Sequence, residues 1–336
     1  MPRKARIDAP GAVHHIMARG IERRSIFRHD EDRDDFLDRL NRILTETQTP
    51  CYAWALMPNH FHLVLRTGVV PISNVMRRLL TGYAQSFNRR HRRHGHLFQN
   101  RYKSILCQED TYLLELVRYI HLNPLRAKVV ADLRRLNNYR YCGHSVLLGK
   151  RQLEFQHTDA VMRRFAGTVK KAQSQYREYV KKGVLQGKRP ELSGGGLVRS
   201  AGGWSAVKML RKSGLFQKSD ERILGDGDFV ERVLHQANEQ LEHTQSIKDQ
   251  GYDFQTIVQR VAGLLDLSLE EIQSASKRSV IVKARSMVCY WAHTHLGMKQ
   301  TQLAHKFGVS QPAVCAAVQK GQRIIEQNRY DLMIHE

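Results

Sequence analysis

The sequence predicts an α+β protein: a ferredoxin-like antiparallel sheet with helices, followed by a linker region and an all-α helix-turn-helix domain. Three observations support this fold class. Strand and helix periods alternate over residues 12–108. Basic and glycine-rich segments follow residue 149, and a helical period returns from about Tyr252 onward. The predicted domains are therefore residues 1–148, 149–250 and 251–336.

The first domain reads strand, helix, two strands, helix, strand and a third helix. Its predicted strands cover residues 12–18, 51–57, 60–66 and 97–107. Apolar residues at helical spacing predict a first helix over 36–44, behind an acidic stretch at 30–35 that suits its N-terminus, and a second over 76–87; a third helix is predicted over 110–122. Pro58 and Asn59 are typical of a turn between the second and third strands. Asp110 is expected to cap the third helix, and Asn123–Pro124 is expected to end it, because proline interrupts helical hydrogen bonding.

The composition indicates a polyanionic partner. The chain has 54 Lys and Arg residues against 32 Asp and Glu, a formal net charge of +22 and a pI near 10.1. With a mean hydropathy of −0.49 and no long apolar run, nucleic acid is expected rather than a membrane. No secretory signal is recognised, so a cytoplasmic, nucleoid-associated protein is predicted. The five scattered cysteines indicate neither a disulfide framework nor a thiolate zinc site.

His60-Phe61-His62 is the first chemical signal. With 17 histidines in the chain, chance alone predicts about one such pair, and two further pairs occur: His94 with His96, and His293 with His295. Residues two apart share a face of a strand, so His60 and His62 can present two imidazoles to one cation. The pair 293 and 295 lies in a helical stretch and diverges, whereas the pair 94 and 96 suits phosphate contacts. The alternative for His60 and His62 is an ordinary pair of surface or core histidines.

The second signal is Tyr119 followed by Asn123, four residues apart and therefore on one helix face. Glu115 lies in the same row and is a candidate for a hydrogen bond to the residues that hold the ion, without binding the ion itself. The Asn123 side chain can supply a third, oxygen ligand beside His60 and His62, a set that suits Mg²⁺ or Mn²⁺. Alternatively, Tyr119 is a plain core residue and Asn123 a helix C-cap.

Three motifs together, at residues 56–65, 95–104 and 119–127, resemble the REP-associated tyrosine transposases, relatives of the IS200-like single-tyrosine transposases with their paired metal-binding histidines. The resemblance covers roughly residues 5–148. It implies a metal site on His60 and His62, the nucleophile on Tyr119 and the third ligand on Asn123. The chain departs from the pattern at residues 19–21 and 141–144, which bears on target recognition rather than on chemistry.

The predicted reaction is cleavage and rejoining of single-stranded DNA through a 5′-phosphotyrosine, and the resemblance implies that the substrate is hairpin-forming repeat DNA. Attack by the tyrosine hydroxyl exchanges one phosphodiester for another, so the free 3′-hydroxyl can reverse the step. A divalent metal ion is the expected cofactor. No general base is identified. The candidate contacts to the DNA backbone share a positive charge and lie at the end of the second helix or in the strand that follows it: Arg89, Arg90, Arg92, Arg93, Arg101 and Lys103.

Residues 303–314 read as a helix-turn-helix, with a glycine turn at Gly308 and Pro312 in the first turn of the second helix. This reading places Gln311 and Ala313 near the base edges of duplex DNA. Residues 252–328 resemble the C-terminal DNA-binding domain of the replication initiator DnaA, which adds Arg278 and Arg285 as DNA contacts. The alternative to a DNA-binding domain is a plain helical bundle that contacts other proteins.

Two rival functions stay open at this point: a non-catalytic, sequence-specific DNA-binding regulator, and a replication or mobilisation nickase. Intact His60, His62, Tyr119 and Asn123 argue against the first. The order of the motifs and the lack of a recognisable helicase-like segment argue against the second. The sequence leaves the oligomeric state open between monomer and dimer.

Overall fold

A computed structural model of the chain describes residues 7–8, 11–68, 70–187, 189, 192, 220, 222–274, 276 and 278–332. The chain divides into two compact units, residues 1–233 and 234–336. The predicted domain limits at residues 148 and 250 stay predictions. The glycine-rich segments 193–196 and 202–203 of the predicted linker lie outside the described residues.

The first unit contains five strands and seven α-helices among its described residues. The strands are β1 (Val13–Arg19), β2 (Cys51–Met57), β3 (His60–Arg66), β4 (Lys103–Cys107) and β5 (Ile223–Leu224). The helices are α1 (Asp30–Thr47), α2 (Ile72–Arg90), α3 (Glu109–Arg126), α4 (Leu133–Asn137), α5 (His144–Leu147), α6 (Thr158–Met162) and α7 (Val169–Val184).

The sheet has the strand order β2-β3-β1-β4-β5. The first four strands pair antiparallel, which confirms the predicted ferredoxin-like arrangement. β5 adds a short parallel strand beside β4 that the sequence reading did not predict. In the central strand β1, Met17 lies opposite His62 and Arg19 lies opposite His60. This register places the predicted histidine pair next to the middle of the sheet.

The two faces of the sheet carry different helices. On one face, the α1 residue Phe36 packs against Phe61 of β3 with ring centroids 4.8 Å apart, and the α2 residue Tyr83 packs against Phe36 at 5.1 Å. On the other face, α3 packs against β2 and β3. Tyr83 and Phe87 are fully buried and belong to the core on this face of the sheet.

Two predicted boundaries are wrong. The strand expected over residues 97–107 begins only at Lys103, and residues 97–102 have no regular structure apart from a single bridge. The helix expected to end at Asn123–Pro124 continues to Arg126 with Pro124 inside it. Proline has no backbone N–H, so the helix lacks one hydrogen bond at Pro124. Pro124 stands in the last turn, where Ala127 N–H still bonds Asn123 C=O, so the loss is confined to that one hydrogen bond. Asp110 does not cap this helix as expected, because it lies inside the first turn. Gln108 occupies the N-cap position, and its side chain makes no capping hydrogen bond.

α7 packs closely on α3 at Gly183. A Cβ at Gly183 would lie 2.5 Å from Cδ of Arg118 and 2.9 Å from Cδ1 of Leu122, so any other residue there would have to displace these side chains. Tyr176, two turns before Gly183 in α7, is fully buried, and its hydroxyl is hydrogen-bonded to the ring of His121. Part of the chain beyond residue 148 therefore belongs to the core that holds α3.

The second unit is helical. Its helices are α8 (Gly227–Asp249), which begins in the first unit, α9 (Phe254–Leu265), α10 (Leu269–Gln273), α11 (Ser279–Thr294), α12 (Gln300–Phe307) and α13 (Gln311–Asn328). Gly308 ends α12 with a φ of +61°, and the Ser310 hydroxyl accepts a hydrogen bond from Ala313 N–H at the start of α13. These two features confirm the predicted helix-turn-helix. Within the described part of the chain, no helix is long and apolar enough to cross a membrane.

Candidate functional site

A cavity of about 430 Å³ lies where β1, β3 and β4 meet α3. Four of its lining residues are the predicted site residues His60, His62, Tyr119 and Asn123. The remaining lining residues are Met17, Ala18, Arg19, Gln99, Asn100, Arg101 and Lys103. The structure thus brings the two sequence signals to one place and surrounds them with three cations. Such a cavity has the charge that a phosphate group requires.

The alternation of β3 explains why both histidines reach the cavity. His60 and His62 point to the α3 face, with their ring centroids 5.1 Å apart, whereas Phe61 between them enters the core on the other face. On α3, Tyr119 approaches His62 with the ring centroids 6.0 Å apart and the ring planes at 88°. Tyr119 and Asn123 occupy one face of this helix, as their four-residue spacing predicts.

Both histidines are held in the neutral state. Burial lowers the pKa of His60 to about 4, and the neighbouring Arg19 adds to this effect. Burial lowers the pKa of His62 well below its ordinary value, and the charges of His15, His60 and Arg19 act in the same direction. A neutral imidazole is the form that binds metal ions.

Each of the two rings uses its Nδ1 atom in a hydrogen bond. His60 Nδ1 lies 2.7 Å from Oδ1 of Asn59, whose Nδ2 donates to the Arg23 carbonyl at 3.0 Å. His62 Nδ1 lies 2.9 Å from Nε2 of His15. These bonds leave Nε2 of both rings for a ligand, the arrangement usual for metal-binding histidines.

The amide of Asn123 completes the set. Its Nδ2 atom is buried and has no hydrogen-bond partner, so this donor is available to an acceptor in the cavity such as a phosphate oxygen, whereas Oδ1 of the same amide is the atom that can coordinate a cation. Two neutral imidazoles and one amide fit a divalent cation with open coordination positions. In the described ranges, no group of three or more His, Cys, Asp or Glu side chains could hold a metal ion, so a site here depends on the amide.

Arg126 is a cation that the sequence reading missed. Its guanidinium carbon lies 5.7 Å from the centroid of the Tyr119 ring, and its Nη2 donates to the Gly183 carbonyl at 3.1 Å. Its Nε and Nη1 atoms are buried without hydrogen-bond partners. The signal was present in the sequence, because residues seven apart lie two helical turns apart on the same face.

Glu115 does not line the cavity. Its carboxylate accepts hydrogen bonds from Arg118 at 2.6 Å, from Tyr179 at 2.7 Å and from Arg189 at 3.1 Å. Burial raises the pKa of Glu115, but these hydrogen bonds and charges outweigh it and the net pKa is lowered. His121 is fully buried and bonded to Tyr176, on the side of α3 away from Tyr119. Neither residue is placed to accept the Tyr119 proton.

The predicted DNA contacts of the first unit separate into two groups. Arg101 and Lys103 line the cavity, on the segment that leads into β4. The other four lie at the end of α2, outside the cavity lining: Arg89, Arg90, Arg92 and Arg93. Arg90 donates to the buried carboxylate of Asp32 at 2.6 Å, so it also joins α2 to α1.

In the second unit, two of the predicted contacts lie on the segment before the helix-turn-helix and two lie within it. Arg278 is exposed and bonds Glu271 at 3.2 Å. Arg285 is half-buried, and its guanidinium donates to the Ser276 carbonyl. Gln311 and Ala313 lie in the first turn of α13, and the Ala313 side chain is exposed.

Comparison with known proteins finds matches for two segments of the chain. Residues 10–123 match the family described as "Transposase IS200 like", and residues 254–320 match "Bacterial dnaA protein helix-turn-helix". A solved structure of a REP-associated tyrosine transposase bound to a REP hairpin is 16% identical, covers 50% of this chain and 93% of its own chain, and has a TM-score of 0.37. No curated protein matches the chain. The chain contains an IS200-like transposase domain and a DnaA-type helix-turn-helix domain.

Proposed function

We propose that the IS200-like domain cuts and rejoins single-stranded DNA through a covalent bond between Tyr119 and a 5′-phosphate. The observation that supports this function best is the cavity itself: Tyr119, His60, His62 and Asn123, from two separate sequence motifs, line one basic cavity. A tyrosine nucleophile beside two neutral histidines and several cations suits phosphoryl transfer.

His60, His62 and Asn123 are the candidate ligands. A divalent cation, Mg²⁺ or Mn²⁺, held by these residues would polarise the scissile phosphate and offset its negative charge. Arg101 and Lys103 line the same cavity and are candidates for binding the DNA backbone next to that phosphate. Their positive charges also concentrate the polyanionic substrate at the site.

The bonds balance as a transesterification. Tyr119 Oη forms a bond to phosphorus and loses its proton, while the bond from phosphorus to the 3′ oxygen of the preceding nucleotide breaks. The 3′ oxygen gains a proton and leaves as a hydroxyl. Because one phosphodiester replaces another, attack by a 3′-hydroxyl on the phosphotyrosine completes strand transfer without a further energy source.

Arg126 gives the phenol oxygen a cationic neighbour. Buried, unpaired guanidinium N–H groups beside an aromatic ring favour negative charge on that ring or on a phosphate next to it. A phenol is protonated at neutral pH, so stabilisation of the developing phenolate accelerates attack. Burial lowers the pKa of Arg126, and the neighbouring Tyr119 opposes that effect; a guanidinium keeps its charge under both influences.

The helix-turn-helix domain gives the protein a second mode of DNA binding. Gln311 and Ala313 stand at the N-terminal turn of α13, the part of a recognition helix that contacts base edges. Arg278 and Arg285 are candidates for phosphate contacts beside it. We propose that this domain binds duplex DNA and brings the transposase domain to its target, which the motif resemblance suggests is hairpin-forming repeat DNA.

The DnaA-type domain also favours a rival function, a DNA-binding regulator without catalysis. One experiment separates the two. Purified full-length protein is incubated with hairpin-bearing single-stranded DNA and Mg²⁺ or Mn²⁺, then denatured and analysed by gel electrophoresis. We expect a covalent adduct with the wild type and none with Tyr119→Phe. Tyr112→Phe, which changes a half-buried tyrosine seven residues earlier on α3, is the matched control and keeps the adduct. A wild type that binds the DNA but forms no adduct supports the regulator.

A further inference from the structure

A third histidine, His15, connects His62 to the backbone of a distant segment. His15 Nδ1 lies 3.1 Å from the carbonyl oxygen of Leu192, and His15 Nε2 lies 2.9 Å from Nδ1 of His62. The His15 side chain is fully buried on the α3 face of β1. His15 lies opposite Val64, so it is the diagonal neighbour of His62 across the two strands.

The chemistry of the three groups fixes where the protons lie. A carbonyl oxygen only accepts, so Nδ1 of His15 carries a hydrogen that it donates to Leu192. The Nε2 atom of neutral His15 then has a lone pair and accepts. The hydrogen between the two rings therefore belongs to Nδ1 of His62, and the lone pair of His62 lies on Nε2.

We propose that His15 is a positioning residue that holds His62 in the tautomer and ring orientation needed for a ligand. This inference rests on the proposed role of His62 as a metal ligand. His15 is not itself a ligand, because both of its ring nitrogens are used in the hydrogen bonds above. It also contacts the nucleophile: its ring centroid lies 6.1 Å from that of Tyr119, at an interplanar angle of 76°.

The second candidate ligand is oriented in the same way by a different group. Asn59 donates to the Arg23 carbonyl, so its Oδ1 faces Nδ1 of His60 and accepts from it. Both histidines consequently present Nε2, although one is held by an amide and the other by a second imidazole. Two unrelated hydrogen bonds thus hold His60 and His62 in the same tautomer, which indicates that both rings bind one ligand.

The anchor of this arrangement lies outside the region that matches the transposase family. Leu192 is 69 residues beyond Asn123, where the match ends, and its side chain is buried in the same core cluster as α3 and α7. Cutting the chain at residue 148 would thus remove the hydrogen-bond acceptor of His15. The position of His62 depends on the segment that follows α7.

The test compares His15→Leu with His15→Gln in the full-length protein. Leucine fills the space but accepts no hydrogen bond, whereas glutamine offers a carbonyl oxygen to Nδ1 of His62. His14→Gln is the matched control, because His14 is equally buried on the opposite face of β1 and bonds Ser104. Two quantities are measured: the affinity for Mn²⁺ alone, and the tautomer of His62 in the metal-free protein from ¹⁵N shifts of its ring.

We expect His15→Leu to weaken Mn²⁺ binding by about 10- to 100-fold and to shift His62 away from the tautomer with hydrogen on Nδ1. His15→Gln and His14→Gln keep both properties close to wild type. Unchanged Mn²⁺ affinity and tautomer in His15→Leu would overturn the proposal. If that variant does not fold, wild-type His62 with hydrogen on Nε2 would overturn it equally well.

Failure of the proposed function gives a different pattern. Wild-type protein that forms no DNA adduct, but whose His62 tautomer still changes in His15→Leu, contradicts the nuclease and leaves the role of His15 in place. Wild-type protein that forms the adduct, with His15→Leu equal to it in metal affinity and tautomer, contradicts only the role of His15.

Discussion

Replacement of Arg126 by glutamine tests whether its charge assists Tyr119. The guanidinium carbon lies 5.7 Å from the phenol ring centroid, on the helix that carries Tyr119. Two unit charges about 6 Å apart interact by about 3 kcal/mol at an effective dielectric constant of about 20. Since Arg126 is only half-buried, solvent screening reduces this to about 1–2 kcal/mol. That energy corresponds to adduct formation slowed by about 5- to 30-fold.

The assay is the single-turnover rate of adduct formation at saturating DNA. Arg126→Lys keeps the positive charge and is expected to keep a larger part of the rate than glutamine. Arg163→Gln removes one charge from the residue that follows α6, whose side chain is 82% exposed, and is expected to leave the rate unchanged. A wild-type rate in Arg126→Gln, with DNA binding also unchanged, would refute the electrostatic reasoning.

Two further predictions concern the fold that holds the site. Burial raises the pKa of Asp32, but hydrogen bonds from His91, Arg90 and two backbone amides outweigh burial and lower it. This stabilisation is fully present above the ordinary aspartate pKa of about 3.8 and is lost as the pH falls through the lowered folded value. Asp32→Asn should therefore lower the free energy of unfolding by about 1–3 kcal/mol at pH 7 and by less in acid. Urea titration at both pH values measures this difference. An equal loss at the two pH values would contradict the prediction. Gly183→Ala should cost about 1–3 kcal/mol, because its Cβ meets an α3 side chain at 2.5 Å, and a wild-type midpoint of unfolding would show that α7 can shift freely.

Short-range patterns in the sequence were sufficient to predict four of the five described strands and the shared location of four candidate site residues. Alternation along residues 60–66 gave a strand with both histidines on one face, and the four-residue spacing of Tyr119 and Asn123 gave a shared helix face. The end of α3 was misjudged because the cost of Pro124 depends on how near the helix end it stands, which local sequence does not show.

Contacts between distant segments were not predictable in this way. His15 reads as one of two histidines in an apolar run, and only the folded chain brings the Leu192 carbonyl to it. β5 has two residues, too few for any period, and its pairing with β4 spans more than 100 residues of chain. Arg126 shares the Tyr119 face by spacing, but its burial depends on α7 and the Gly183 carbonyl.

The most direct measurement of the central claim is the identity of the residue that carries the DNA. Trypsin cleaves after Arg101, Lys103, Arg118 and Arg126, so it places Tyr102, Tyr112 and Tyr119 in three different peptides. Mass spectrometry of the nuclease-trimmed adduct then locates the nucleotide. We expect it on the peptide of residues 119–126, attached through a 5′-phosphate. A nucleotide on either of the other two peptides, or attachment through a 3′-phosphate, would contradict the account.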